Sequence, residues 1–598
     1  MVLDLAALRN AALTSEIAWQ PGPTANSGLS RLHARARLGA VPPDGMAGLQ
    51  ERVQTASARL TAPTGTVASA AAAPAKYDWR KASGGNYVTS VKDQAGCGSC
   101  VAFGVVGVLE SMVRIAAKQP GLAVDLSEAY AYHCLGATHG AIPCPEGGWW
   151  PDEALAAMKA GITDELNYPY TDDAQPCRRG SDWKSRLTKF GGFVRKTSVS
   201  SMKTYLSTVG PMVACFTIYE DFFYYYAGGV YKYNAKTSGD IIGGHCVAIV
   251  GYDDAKKCWI AKNSWGTGWG EAGYFRIAYG SAGIDAEMWG INGTISSPLI
   301  RTDLQVLLAG AGNVYQTGRN KTGKWQSPVV RLDTGTPGDP GAFTAVTATA
   351  TINRLHVLGL VGGTLWYTRK RSDAGWAKWE RPSSTLPSGV SAWDAVSCAA
   401  VGDTVQVAGL AAGGIWHTQR NAKGVWQQAW AKAAAGNTAA GKFTALSCVT
   451  RGSETNVVAV AGGKLWLITR KKDGSWTAPA RINASDGAVP GSFTAVSAAT
   501  VDGGLNLVAL SGGKPWLLER SSSGTWGAFR QLPPAAAGTV FTAVACADVG
   551  ATLHVLGLAA GKPWHTLRNP DGSWQAKFGS AGGQFTGEPA TIVALDGA

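Results

Sequence analysis

The sequence predicts a multidomain chain: an α+β first half followed by an all-β six-bladed propeller. Three observations point there. The 598 residues are too many for one hydrophobic core. The first half holds an apolar run of helical length, Val101 to Ile115, and a separate apolar strand string, Gly243 to Tyr252. The second half repeats itself six times at a spacing of about fifty residues, the length of four short strands.

The repeat justifies the propeller. Leu355 to Leu360 and Leu553 to Leu558 carry the same string, and related strings begin near Leu304, Val405, Thr455 and Leu505. An aromatic recurs at Tyr315, Trp366, Trp416, Trp466, Trp516 and Trp564, and a base follows at Arg319, Lys370, Arg420, Arg470, Arg520 and Arg568. A second tryptophan follows at 325, 376, 426, 476, 526 and 574. A short strand opens at Phe343, Trp393, Phe443, Phe493 and Phe541. The first copy lacks that strand, and Phe585 to Leu595 supplies one with no blade after it. The two ends complement each other, and closing the ring removes exposed edges. Cys398, Cys448 and Cys546 share one repeat position where other copies have alanine, so they read as small core residues.

The first half carries the chemistry. Gln94 precedes Cys100 by six residues, His245 lies on the later apolar strand, and Asn263 opens Asn-Ser-Trp-Gly. A thiol needs a cationic neighbour to become the thiolate nucleophile, and His245 is the candidate. Asn263 would orient the imidazole without cancelling its charge. Gln94 would offer a side-chain N–H to a developing oxyanion beside the Cys100 amide. Cys97-x-x-Cys100 taken alone also reads as a redox or metal pair.

These strings resemble the papain/cathepsin family of cysteine peptidases. The resemblance runs from about Tyr77 to Ile295 and includes Leu126-Ser127-Glu128, Tyr168-Pro169-Tyr170 and Asn263 to Gly270. It implies a helical lobe plus a β-barrel-like lobe, peptide hydrolysis with no metal or cofactor, and catalytic roles for Gln94, Cys100, His245 and Asn263. It implies that substrate backbone runs along Gly147-Gly148 and Trp149, that Trp265 shields the Asn263–His245 bond, and that Cys97 pairs with Cys144 and Cys134 with Cys177. Cys215, Cys246 and Cys258 are left as buried thiols. Val101 stands where the family usually has tryptophan, and one extra residue separates Cys144 from the glycine pair.

Residues 1 to 45 carry helical patterning and read as a candidate inhibitory prosegment; a loosely docked tail is the alternative. Residues 46–76 read as a linker and activation region, 77–297 as the protease domain and 298–598 as the propeller. The propeller repeats resemble bacterial and fungal lectins. That resemblance implies glycan binding by Trp366, Trp416, Trp466, Trp516 and Trp564 with Arg420, Arg470, Arg520 and Arg568. A lectin or toxin-like binder with a vestigial protease is the alternative for the whole chain, and a transpeptidase role is a third.

A net charge of +13 without a dense basic block argues against nucleic-acid binding. The expected partners are protein or peptide substrates and glycans or glycoproteins, met by a monomer. Disulfides imply an oxidising, extracytoplasmic destination. The first residues lack a signal-peptide pattern, no transmembrane segment is evident, and an intracellular life with reduced thiols is the alternative.

Overall fold

The computed structural model describes residues 4–61, 73–83, 85–120, 122, 124–144, 146–180, 183–300, 303–320, 322–327, 329–332, 340–352, 354–371, 376–434, 440–486, 490–581 and 589–596. The chain divides into two compact units, Met1–Leu299 and Ile300–Ala598.

The first unit is built on a nine-stranded sheet. Its strands are β1 (Trp19–Pro21), β2 (Lys76–Asp78), β3 (Lys189–Lys196), β4 (Met212–Tyr219), β5 (Tyr226–Tyr231), β6 (Ile241–Asp253), β7 (Cys258–Lys262), β8 (Tyr274–Ala278) and β9 (Met288–Ser296). They run in the order β1-β5-β8-β7-β6-β4-β9-β3, with β2 paired to β6. β4 and β7 are buried along their whole length, because apolar elements cover both faces.

The N-terminal segment belongs to this body. Helix α1 (Leu5–Leu13) starts where the Asp4 carboxylate accepts the Ala6 N–H. β1 adds to β5, and buried Trp19 packs between Tyr226 and Tyr231 at 6.2 and 5.7 Å. Helix α2 (Arg31–Arg35) is capped by Ser30. Leu8, Ile17, Trp19, Ala34 and Leu38 share one core with Phe222 and Trp269.

The reading of 46–76 as a linker is corrected in its first half. Gly45–Thr61 forms helix α3, with Leu49 and Ala56 both 2% exposed. Their seven-residue spacing puts both on one helix face, a pattern masked in the sequence by the polar residues around them. The small-residue stretch from Thr66 to Ala72 lies outside the described residues.

Helix α4 (Cys100–Ala117) runs through the interior. It is the one helix among the described residues long and apolar enough to cross a membrane, yet 78% of it is buried in this unit. Gly104 lets β6 approach: a Cβ there would lie 3.4 Å from the Val247 nitrogen and 3.5 Å from Cys246 Sγ.

The second unit is six small antiparallel sheets arranged as a six-bladed propeller. Ala395–Val401, Thr404–Ala411, Gly414–Arg420 and Ala431–Ala434 make one representative blade. The hairpin between its second and third strands places Ala412 and Gly413 at φ of 50° and 74°. Both turn residues need positive φ there, which explains why the equivalent turns read Gly-Gly or Ala-Gly. Opening strands are tied from blade to blade by hydroxyls. Thr347, Ser397, Ser447 and Ser497 accept the amides of Cys398, Cys448, Ala498 and Cys546 at 2.9–3.3 Å. A small residue at that position lets neighbouring strands come this close. Pro589–Asp596 pairs with Leu304–Gly310 and completes the first blade from the far end of the chain; Phe585 lies outside the described residues.

Candidate active site

Cys100 is the first residue of α4, where unpaired backbone N–H groups and the helix dipole favour negative charge on sulfur. His245 sits on β6, and Asn263 directly follows β7, its antiparallel neighbour. The pairing brings His245 Nε2 to 2.7 Å from Asn263 Oδ1. His245 Nδ1 is buried and has no hydrogen-bond partner, so this nitrogen remains for proton transfer. Trp265 stacks on the imidazole at 4.4 Å and is itself 1% exposed.

Gln94 is fixed at both ends. Its amide N–H donates to the Ser264 carbonyl at 2.9 Å, and its Oε1 accepts from the Ser264 hydroxyl at 2.6 Å. Nε2 is thereby aimed away from Ser264. It donates to the carbonyls of Cys97 at 2.8 Å and Arg37 at 3.1 Å.

Arg37 belongs to a stretch of the N-terminal segment that crosses the site. The Gly39 N–H donates to Cys100 Sγ at 3.3 Å. The Gly39 carbonyl accepts from Trp149 N at 2.9 Å, and the Val41 N–H donates to the Trp149 carbonyl at 3.1 Å. The Ala40 N–H donates to Gly244 O at 3.1 Å. A Cβ on Gly39 would lie 1.6 Å from the Gly98 carbonyl oxygen, so only glycine fits. A carbonyl oxygen thus occupies the Gln94 donor, while the thiol meets an N–H rather than a carbonyl carbon. No bond of this segment is presented for attack.

The expected substrate wall divides into distinct parts. Trp149 makes the backbone pairing. Gly147, at φ 61°, packs against Gly98, with its virtual Cβ 2.3 Å from the Gly98 Cα. The Gly148 N–H is taken by the Tyr132 hydroxyl at 2.8 Å, and its carbonyl accepts from Ile142. The pairing therefore sits one residue beyond the glycine pair. Cys97–Cys144 and Cys134–Cys177 are disulfide-bonded, and the first anchors this loop beside the nucleophile.

Burial under the segment sets the charge state. It pushes the Cys100 thiol up to about 12 and the His245 imidazole down to about 3, the Asn263 bond opposing the latter. Both groups are neutral over the ordinary pH range.

Two groups of residues that the motifs did not reveal support this site. Lys92 Nζ bonds Glu128 at 2.8 Å and Glu110 of α4 at 3.0 Å, while Lys262, beside Asn263, bonds Thr89 at 2.9 Å. These four ionisable groups tie α4 to the end of β7, which Asn263 follows. Beyond the cleft, Arg52 of α3 pairs with Glu287 and lies 4.3 Å over the Trp150 ring. Arg195 meets the same carboxylate at 2.8 Å. Sequence separations above 200 residues hide that contact from any local pattern.

In the propeller, Trp366, Trp416, Trp466 and Trp564 are half-buried and pack into the cores between successive blades, and Trp516 is half-buried at the equivalent position. Arg420 is 7% exposed and stacks over Tyr367 at 5.2 Å. Arg470 pairs by a backbone bridge with Trp476, Arg520 covers Trp526 at 5.5 Å, and Arg568 reaches Glu519 and Asn506.

The family described as papain family cysteine protease matches residues 73–299. Cathepsin B-like CP3 of Giardia intestinalis is 36% identical over 230 residues, 37% of this chain and 73% of that protein. The chain belongs to the papain family of cysteine proteases. Cathepsin K of Gallus gallus is 33% identical to this papain-family chain over 210 residues, 34% of this chain and 59% of that one. The solved structure of digestive procathepsin L2 from Tenebrio molitor larval midgut is 26% identical, with a TM-score of 0.39, covering 48% of this chain and 89% of that chain.

Proposed function

We propose that this papain-family protease is an endopeptidase made latent by its own N-terminal segment and directed to glycans or glycoproteins by its propeller. Cys100 Sγ attacks the peptide carbonyl carbon while Gln94 Nε2 and the Cys100 amide take the oxyanion. The imidazolium of His245 protonates the leaving amine, and neutral imidazole then activates water to release the acyl group. Asn263 holds the ring without removing its charge. The observation that carries the latency is the pair of contacts from Arg37 and Gly39, which fill the oxyanion donor and the nucleophile at once.

Opening the segment would let water reach both catalytic groups. The thiol pKa would then fall and the imidazole pKa rise, toward the ion pair the reaction needs. Removal of residues 1–61 by cleavage within 62–76 would do this. Half-buried aromatics recurring around the propeller, with guanidinium groups over Trp366 and Trp526, support the reading of stacking on sugars. The propeller would then raise the local concentration of substrate.

The test is hydrolysis of a fluorogenic peptide library by full-length protein, by protein cleaved within 62–76, and by a Cys100→Ala control. Glycan-array binding is read on the Cys100→Ala protein. Hydrolysis confined to the cleaved form, with array binding weakened in a Trp466→Ala variant, is the expected result. Cleaved, folded protein without turnover would reject the peptidase reading. An array without a hit would reject the glycan arm alone.

A further inference from the structure

We infer that Cys215 and Cys246 form a third disulfide, which fixes the strand carrying His245 and keeps Cys246 from reacting with the catalytic thiol. The two cysteines are direct cross-strand partners on β4 and β6. Directly opposed antiparallel residues hold their Cα atoms about 4.5–5.5 Å apart, inside the range a disulfide spans. The structure holds both as buried free thiols, with Cys215 Sγ donating to Cys246 Sγ at 2.6 Å, closer than two unbonded sulfur atoms pack. The residues are 3% and 0% exposed. Two free thiols at this separation would be in steric conflict, and a covalent bond removes it.

The place of the pair in the fold gives it a consequence. Cys246 follows His245 directly, and its backbone amide lies toward Cys100 Sγ. Its own sulfur sits where a Cβ on Gly104, one helical turn along α4 from the nucleophile, would touch it at 3.5 Å. Three cysteines therefore lie in one buried cluster, and only one of them must stay reduced. Bonding Cys246 to Cys215 leaves Cys100 as the free thiol.

The oxidant is a low-molecular-weight disulfide such as oxidised glutathione. One cysteine thiolate attacks it and expels one small thiol. The second cysteine then displaces the other small thiol from the mixed disulfide. Two protein thiols and one small disulfide become one protein disulfide and two small thiols. Because the pair is buried, this exchange belongs to the folding chain, where the Cys97–Cys144 and Cys134–Cys177 bridges also close.

The test refolds full-length protein in a glutathione redox buffer, blocks free thiols under denaturation, and maps the unreduced peptides by mass spectrometry. A peptide linking Cys215 to Cys246, in the samples that contain the other two bridges, is expected. Quantitative alkylation of Cys215 and Cys246 in protein whose other two bridges are closed would overturn the inference. The mapping needs no variant, so it stands even if substitutions impair folding. The protective role is read in Cys215→Ala, trimmed to open the site and exposed to oxidised glutathione. Mapping should then find a peptide linking Cys100 to Cys246 in the variant, lost on dithiothreitol treatment, while Cys100 of the trimmed wild type forms at most a mixed disulfide with glutathione. A variant without that linked peptide would overturn that role. The mapping reads thiol chemistry without turnover, so this result is separate from the peptidase reading.

Discussion

The two units use their residues in opposite ways. In the first unit each chemical position occurs once: one thiol at the start of α4, one imidazole on β6 and one amide at Gln94, all beneath a single covering segment. In the second unit every position recurs around the ring, so the same tryptophan, glycine turn and hydroxyl tie share the work of holding blades together. Substitutions should therefore act all-or-none in the first unit and by increments in the second.

The largest effect should come at the nucleophile. Cys100→Ala in cleaved protein should lower kcat/KM by on the order of a thousand-fold or more, with unchanged unfolding by urea. Residual turnover within ten-fold of wild type would break the single-copy account.

Next comes the buried charge network. Glu110 is fully buried between Lys92 and Lys262; burial pushes its carboxyl up, and the two positive charges with the Thr89 and Leu126 hydrogen bonds outweigh that and hold it below the usual range. Glu110→Gln leaves those lysines under-compensated and should destabilise the first unit by about 3–5 kcal/mol. Hydrogen exchange resolved by unit should show that loss with the propeller unchanged.

Gly39→Val should act on latency rather than stability. Its side chain would enter the Gly98 carbonyl, so residues 37–41 must leave the cleft. Full-length variant protein should then hydrolyse peptides without prior cleavage. A variant as silent as wild type would place the cause of latency elsewhere.

Acid should separate the units more gradually. In the propeller, burial holds His356 and His417 at about 3, His554 at about 4 and His565 at about 2. Each binds a proton more readily unfolded. Their contribution to stability is full above pH of about 6.5 and is lost as pH falls toward those values. In the first unit His245 behaves the same way. Burial there also raises Glu128 to about 8 and Glu165 and Asp221 to about 7. Their contribution is full below the ordinary carboxylate range and is lost as pH rises through 7 to 8, so it offsets His245 on acidification. Between pH 6.5 and 4.5 the propeller should lose more stability than the protease unit, read by unit-resolved hydrogen exchange.

The smallest effect belongs to the blade ties. Ser447→Ala removes one acceptor for the Ala498 amide and should cost about 1 kcal/mol, leaving the other ties in place.

Legibility in the sequence follows the same contrast. Gln94, Cys100, His245 and Asn263 stand in local strings whose residue types each imply a chemical task. The propeller was legible because repetition displays one pattern six times, including the closing strand at the chain's end. The covering contacts were not legible. Arg37, Gly39 and Val41 engage the cleft through backbone atoms, which leave little mark on side-chain choice beyond the glycine. Helix α3 reads as linker in the sequence because its buried face is narrow. The Arg52–Glu287 contact and the Cys215–Cys246 pairing depend on register between elements distant in the chain. Trp149 replaced Gly148 in the pairing because the glycines are occupied by Gly98 and Tyr132.

The most direct measurement is site-resolved mass spectrometry after treatment with a peptidyl epoxide, on full-length protein and on protein cleaved within 62–76. The expected result is Cys100 labelled only after cleavage. Equal labelling of Cys100 in both forms, or none in the cleaved and folded form, would contradict the account of a single nucleophile held silent by residues 37–41.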